Sequence, residues 1–309
     1  LLLIGRLVTL PFALLVREQN LEYDLTRQSL GGWAVDRLLS LGVSWAVTSL
    51  LLLVLVGLAR WAGRGWYAWV GGAAALLIVA GSFLYPVLVE PVFNRFTPLE
   101  DGPLRDQVLV LAEQQGVEVG EVLVADASRR TTTLNAYVSG LGETRRVVLY
   151  DTLLEQAPAE EVEVIVAHEL AHAKHQDVLV GTALGAGGAV LGVALLAVAL
   201  DSPRLRRRSG VDGAADPGSV ALVLALVAVG GLVVSPLASS ISRAVEMRAD
   251  RESLVATGET GAFMQVHRRL AIESVSDPTP PRWSQFWFGS HPTVLQRAGL
   301  PSSLEEASR

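Results

Sequence analysis

His168-Glu169-Leu170-Ala171-His172 sets two imidazoles four residues apart, with a carboxylate beside the first. On a helix, residues at that spacing stand one turn apart on the same face, so both rings can bind one ion. Glu169, one position along, reaches a water on that ion more easily than the ion itself. This is the chemistry of a zinc peptidase, in which the metal polarises a carbonyl and the carboxylate takes a proton from water. The bland alternative is a surface helix whose histidines happen to be so spaced. Catalytic zinc usually has three protein ligands and one open position. Glu246, in Ser242-Arg243-Ala244-Val245-Glu246-Met247-Arg248-Ala249-Asp250, is the candidate third. Asp250 shares its helical face and can accept a hydrogen bond from the free ring nitrogen of a ligand histidine. Alone, this pair would read as a solvated helix salt-bridged to Arg243 or Arg251. The expectation is one Zn2+ per chain on His168, His172 and Glu246, with Glu169 as general base. His175 lies too far along the axis to ligate and reads as supporting or exposed. His267, in Val266-His267-Arg268-Arg269, reads as a helix-surface residue.

These groups must be positioned by an unusual chain. Half of its 309 residues are hydrophobic and 18% charged, with a mean hydropathy of +0.40; soluble domains carry about 25% charged residues. Residues 40–59, 67–89, 178–200 and 219–238 contain no charge, and 1–16 contains only Arg6. Each of the four charge-free runs has the ~20 residues needed to cross ~30 Å of hydrocarbon as a helix. A multi-pass membrane protein is expected, with the lipid bilayer as a partner. The net charge of −6 and the absence of a basic stripe exclude a nucleic-acid partner. With no cysteine, there is no disulfide, thiol nucleophile or thiolate ligand. The chain begins inside an apolar run without a Met, so upstream sequence is expected, and that run is no signal peptide.

Two polar blocks, 90–177 and 241–309, flank the runs 178–200 and 219–238. A pair of crossings would return the chain to the side it left and bring Glu246 to His168. Gly181, Gly185, Gly187, Gly188 and Gly192 suggest that the first of this pair packs closely on a neighbouring helix. Eighteen basic residues lie on the block side against six opposite, which places the blocks on the cytoplasmic side of a bacterial membrane. The four Arg of the 201–218 loop argue the other way and read as headgroup-facing. Trp61, Trp66, Tyr67 and Trp69 read as an interfacial belt.

Within 90–177, residues 103–115 carry Val108, Leu109, Leu111 and Ala112 in an amphipathic helical pattern. Short strands are expected at 121–126, 131–138 and 145–150, the last two joined as a hairpin through Gly140 and Gly142. Pro158 opens a helix with Glu160 and Glu161 in its first turn, expected to run to Asp177.

The chain resembles the CAAX prenyl protease 1 family, multi-span zinc endopeptidases of the H-E-x-x-H gluzincin type, and reads as a bacterial member. The resemblance rests on Leu10-Pro11-Phe12 with Glu22 and Leu30-Gly31, on Pro91 to Leu99, and on Asn135-Ala136-Tyr137-Val138-Ser139-Gly140. It continues through Val147 to Leu153, the H-E-L-A-H helix, Ser242-Arg243 through Asp250, and His291-Pro292 with Arg297. It implies a mainly α fold: a multi-span transmembrane helix bundle with a zincin-like catalytic block carrying a small β-sheet. Family members have seven spans, so two are expected upstream. The implied parts are N-terminal transmembrane helices (1–89), a catalytic block with an edge strand (90–177), a transmembrane hairpin (178–240) and a C-terminal catalytic segment (241–309).

The resemblance also implies roles. Asn135 and its strand would pair with the substrate backbone; otherwise Asn135 is a turn residue before a strand. His291 would donate to the oxyanion with Arg297 holding its segment; otherwise His291-Pro292 is a stop before the helix at 293–298. The substrate would be a peptide or protein, lipidated or membrane-embedded, and CAAX-type processing competes with quality-control cleavage of membrane proteins. A transporter or channel is disfavoured because no charged residue besides Arg6 interrupts the spans. A dead scaffold is disfavoured by the complete set His168, Glu169, His172 and Glu246.

Overall fold

A computed structural model describes residues 2–140 and 142–307, apart from the side chains of Val89, Val92, Phe93, Glu143 and 305–307. Leu1 of the first apolar run and the Val92-Phe93 pair of the 91–99 segment therefore lie outside the described residues and side chains. The chain forms two compact units.

The first unit comprises Leu1–Glu18, Ser29–Ser82 and Leu179–Val234. Among the described residues, three helical stretches are long and apolar enough to cross a membrane: Leu30–Leu88, Asp177–Asp201 and Pro217–Thr257. The first contains two α-helices, Leu30–Ala62 and Trp66–Leu84, separated by a 3-10 turn at Gly63–Gly65. Their Leu, Val and Ala side chains face mostly outward, with as little as 6% of the apolar window buried. Water would not tolerate so large an apolar surface, whereas hydrocarbon does, provided each helix satisfies its own backbone. A modest core joins Leu55, Ala59, Trp66 and Val70 to Leu196, Leu200 and Val223. The 201–218 loop is folded: Arg206 Nε donates to the Leu200 carbonyl at 2.7 Å, and Arg60 Nε to that of Ala215 at 3.1 Å. The glycine stripe behaves differently from expectation. Of its five members only Gly185 would bring an added Cβ near another helix, 3.7 Å from Ile78, while Gly71 meets Val190 at 3.5 Å. Without a hydrophobic drive between helices in lipid, close approach is confined to such crossing points.

The second unit comprises Gln19–Gln28, Phe83–Val178 and Ser235–Arg309. Its sheet holds β1 (Phe96–Pro98), β2 (Glu121–Ala125), β3 (Ala136–Ser139) and β4 (Arg146–Tyr150) in the order β1-β2-β4-β3. β2 and β4 run parallel, and the outer pairs are antiparallel. The unbroken apolar run of β4 reflects burial on both faces. Val147 and Leu149 join Val108, Leu111, Leu153, Val162, Val166 and Leu170 in the main core, while Val148 packs with Leu123 and Ala125 beneath Phe96 and Tyr137. The expected amphipathic helix is Pro103–Gln114, with Val108, Leu111 and Ala112 buried.

Three boundaries depart from the sequence reading. The strand expected at 131–138 is only Ala136–Ser139, because Thr131, Thr132 and Thr26 are held by hydrogen bonds across the loops at 24–26 and 130–132 instead. β1 was not anticipated; it pairs through three residues of a Pro-bounded segment too short to show periodicity. The helix bearing the histidines, Ala159–Lys174, stops three residues before Asp177, where Gln176 turns left-handed at φ 55° and a new helix begins.

Candidate metal centre

Helix Ala159–Lys174 buries Val162, Val166, Ala167 and Leu170 against the sheet, which turns His168, Glu169 and His172 toward the facing helix Val220–Thr257. That 38-residue helix carries residues 220–238 of the apolar run, with Pro236 inside it, and continues through Glu246. His168 Nε2 and His172 Nε2 lie 3.0 Å apart, and Glu246 reaches each at 3.6 Å. Ligand nitrogens on a tetrahedral zinc at ~2.05 Å would stand roughly 3.4 Å apart. Among the described residues this is the one group of three or more His, Asp or Glu with donor atoms all within 4.8 Å of one another. The donor set fits a divalent cation of the zinc class: two imidazoles and a carboxylate, with no thiolate.

Each candidate ligand histidine is backed by a carboxylate. His168 Nδ1 lies 2.9 Å from Asp250 Oδ1, a charge contact whose angle is not that of an aligned hydrogen bond. His172 Nδ1 lies 2.8 Å from Asp177 Oδ2, and Arg248 holds the other Asp177 oxygen. Such carboxylates fix ring orientation and raise ligand basicity. The Asp177 contact depends on the helix break. In a continuous helix, five steps of ~100° would point Asp177 ~140° away from His172.

Arg297, from the short helix Val294–Ala298, ties the centre together. Its Nη2 donates to Glu246 Oε2 at 2.9 Å and its Nε stands 3.1 Å from Asp250 Oδ2. Its Nη1 donates to His267 Nδ1 at 3.1 Å. Arginine only donates, so Nδ1 accepts and the His267 proton sits on Nε2. His267 is therefore not the surface residue the sequence suggested: its side chain is 11% exposed, edge-on to Phe263, and part of the site. Its neighbours Arg268 and Arg269 hid this, because a helix with one buried stripe tolerates flanking charges. His175 pairs with Glu252, away from the ligand group.

His168, Glu169, Glu246, His267, His291 and Arg297 line one cavity of about 170 Å³, with Leu134 and Asn135 at its β3 side. Asn135 is exposed, directly before β3, and its carbonyl accepts from Tyr150 N at 3.0 Å. β3 is an edge strand, paired only with β4 among the described strands. His291 is 65% exposed, its Nδ1 2.9 Å from Ser290 Oγ and its Nε2 3.6 Å from Glu246.

Burial pushes the Glu169 carboxyl up to about 7 against the opposing field of His168. Burial works to lower His168, but its contacts with Asp250 and Glu246 prevail and raise it to about 9. Burial, then the charge on His168, lowers His172. Burial and Arg297 push His267 down to about 3, so it stays a neutral acceptor.

Residues 98–300 match the family model of peptidase family M48, and residues 1–95 match a model described as the CAAX prenyl protease N-terminal region, five membrane helices. The chain belongs to peptidase family M48. It is 30% identical to the uncharacterized metalloprotease YhfN of Bacillus subtilis, over 99% of this chain and 72% of that protein. It is 29% identical to a CAAX prenyl protease 1 homolog of Dictyostelium discoideum, over 85% of this chain and 61% of the relative. The crystal structure of S. mikatae Ste24p shares the fold, with a TM-score of 0.83 at 23% identity, covering 96% of this chain and 73% of that one. The M48 chain is thus a membrane metalloprotease of mainly helical fold with a small mixed sheet. Asp177, Arg248 and His267 are the site residues that sequence reasoning missed. The one available signal was a carboxylate five residues beyond His172.

Proposed function

We propose that the M48 chain is a zinc endopeptidase in which His168, His172 and Glu246 hold one Zn2+. The observation that carries this is the convergence of two Nε2 atoms and a carboxylate oxygen, each imidazole backed by its own carboxylate. A zinc ion held by these three side chains would supply Lewis acidity toward a peptide carbonyl and toward water. Glu169 takes the proton from water and delivers it to the leaving amine, a task suited to a carboxyl near neutrality. His291 directs an N–H at the oxyanion, and its exposure leaves room to close on substrate. Asn135 and the edge of β3 bind the substrate backbone as an added strand. Asp250 and Arg297 hold the ligands in place. In this reading the segments 90–177 and 241–309 carry the chemistry, and 1–89 and 178–240 carry the spans.

The substrate is a peptide held at a membrane, with the CAAX prenyl protease relatives favouring a lipidated C-terminus. The excess of basic residues in 17–38, 90–177 and 241–309 supports a cytoplasmic active site. The test is metal analysis of the purified protein, with cleavage of a prenylated peptide and of an unfolded membrane protein, each with and without chelator. One zinc per chain and chelator-sensitive cleavage of the prenylated peptide are expected. Full zinc occupancy in Glu246→Ala would remove Glu246 from the ligand set.

A further inference from the structure

The helix Arg282–Phe288, sequence Arg-Trp-Ser-Gln-Phe-Trp-Phe, has no buried residue. Trp283 is 66% exposed, Phe286 48% and Phe288 60%. Trp283, Phe286 and Trp287 follow the i, i+3, i+4 spacing that places them on one face. Four aromatics in seven residues, turned outward, would be a liability on a surface facing only water.

The backbone of this helix is fixed by one polar stripe of the long helix Val220–Thr257. Ser235, Ser239 and Arg243, spaced four apart, all donate to its C-terminal carbonyls. Ser235 and Ser239 Oγ donate to the Trp287 carbonyl, and Arg243 Nη1 to those of Gln285 and Gly289. These bonds satisfy carbonyls that a helix end leaves without partners, while Trp283, Phe286 and Phe288 stay exposed.

The stripe sits at a particular level of the long helix. The charge-free run ends at residue 238, and Arg243 is the first charged residue after it. The short helix is therefore tied to the turn where the long helix passes from apolar to charged sequence. For a spanning helix that turn lies at the boundary between hydrocarbon and headgroups, the depth that Trp and other aromatics prefer.

We propose that Arg282–Phe288 is an interfacial anchor whose aromatic face lies in the headgroup–acyl boundary of the bilayer, holding the His291 loop at the membrane surface. Two residues, Gly289 and Ser290, separate Phe288 from His291, so the three backbone steps between them extend at most about 10 Å. The oxyanion donor of the proposed mechanism is thereby held close to the interface, where the peptide bond of a membrane-anchored substrate would be presented. This deepens the substrate assignment and rests on the membrane embedding of the chain.

The test uses the full chain in nanodiscs of phosphatidylethanolamine and phosphatidylglycerol. The chain has no cysteine, so Phe286→Cys and, as a control in the same unit, Thr260→Cys each take a single nitroxide. At 286 oxygen should relax the label more than a water-soluble nickel chelate does, at a depth of roughly 5–10 Å; the label at 260 should show the reverse. Greater nickel accessibility at 286 would overturn the proposal, and so would dipolar broadening between copies, which would mean that a second chain covers the face. Trp283→Ser with Phe286→Ser should raise KM for a lipid-anchored peptide several-fold and leave kcat/KM for its soluble counterpart unchanged. Equal loss on both peptides would assign the aromatics to folding and sink the anchor. Absence of cleavage by the unaltered protein would count against the peptidase reading and not against the nitroxide result.

Discussion

Glu169 has the proton affinity its proposed task requires, because burial lifts a carboxyl that would otherwise be too weak a base to hold a proton near neutrality. Glu169→Gln keeps size and polarity but cannot accept the proton. It should retain its metal and lose ~10²–10⁴-fold in kcat; wild-type turnover would exclude Glu169 as base. His168 predicts a pH dependence. Its proton affinity is raised to about 9 in the metal-free fold, so its contacts with Asp250 and Glu246 stabilise that fold fully below about 6.5. This contribution is lost as pH rises through about 9. In the proposed role as a zinc ligand His168 must shed that proton, so zinc affinity should climb about tenfold per pH unit up to about 9. Competition with a chromophoric chelator measures this, and a flat profile would mean that the ring is already neutral. His267 offers a third test. Leucine fills its space beside Phe263 but gives Arg297 no acceptor, whereas Asn restores one. His267→Leu should weaken zinc by roughly 10–100-fold and His267→Asn by much less. Equal affinities in the two variants would reduce His267 to packing.

At the scale of elements, the site depends on two interruptions. One is the left-handed Gln176, which ends the histidine helix and lets Asp177 turn back onto His172. The other is the β3–β4 turn, where Gly140 adopts φ 83° and an added Cβ would lie 2.3 Å from the Thr144 carbonyl. Gly140→Val should destabilise the hairpin by roughly 1–3 kcal/mol, read as a lowered Tm together with reduced cleavage. An unchanged Tm would show that the turn re-forms without strain. The hairpin and its glycines were legible in sequence, since alternation and turn residues are local signals. The helix break was not, because Lys174 to Asp177 contains neither Gly nor Pro.

At the scale of the whole molecule, two charge-free runs separate His168 from Glu246 in sequence. Both runs must cross the bilayer, or both must re-enter, for the chain to return. Crossing is favoured by their length of ~30 Å as helices. A membrane-impermeant thiol probe should therefore label Ser209→Cys and Ser284→Cys from opposite faces. Labelling of both from one face would rule out the paired crossing. Membrane embedding itself was plain from composition, because an uncharged run of ~20 residues can satisfy its own backbone as a helix in hydrocarbon.

The sequence by itself determined the candidate ligand types, their helical spacing and the apolar runs long enough to span, since each follows from a pattern along a single element. Only the tertiary structure decided which carboxylate backs which imidazole, that His267 lies inside the site, and that Arg297 bridges Glu246, Asp250 and His267. The physical reason is range. A helical face is set by neighbours three and four residues away, whereas Arg297 and Glu246 meet across 51 residues, through packing that no local pattern encodes.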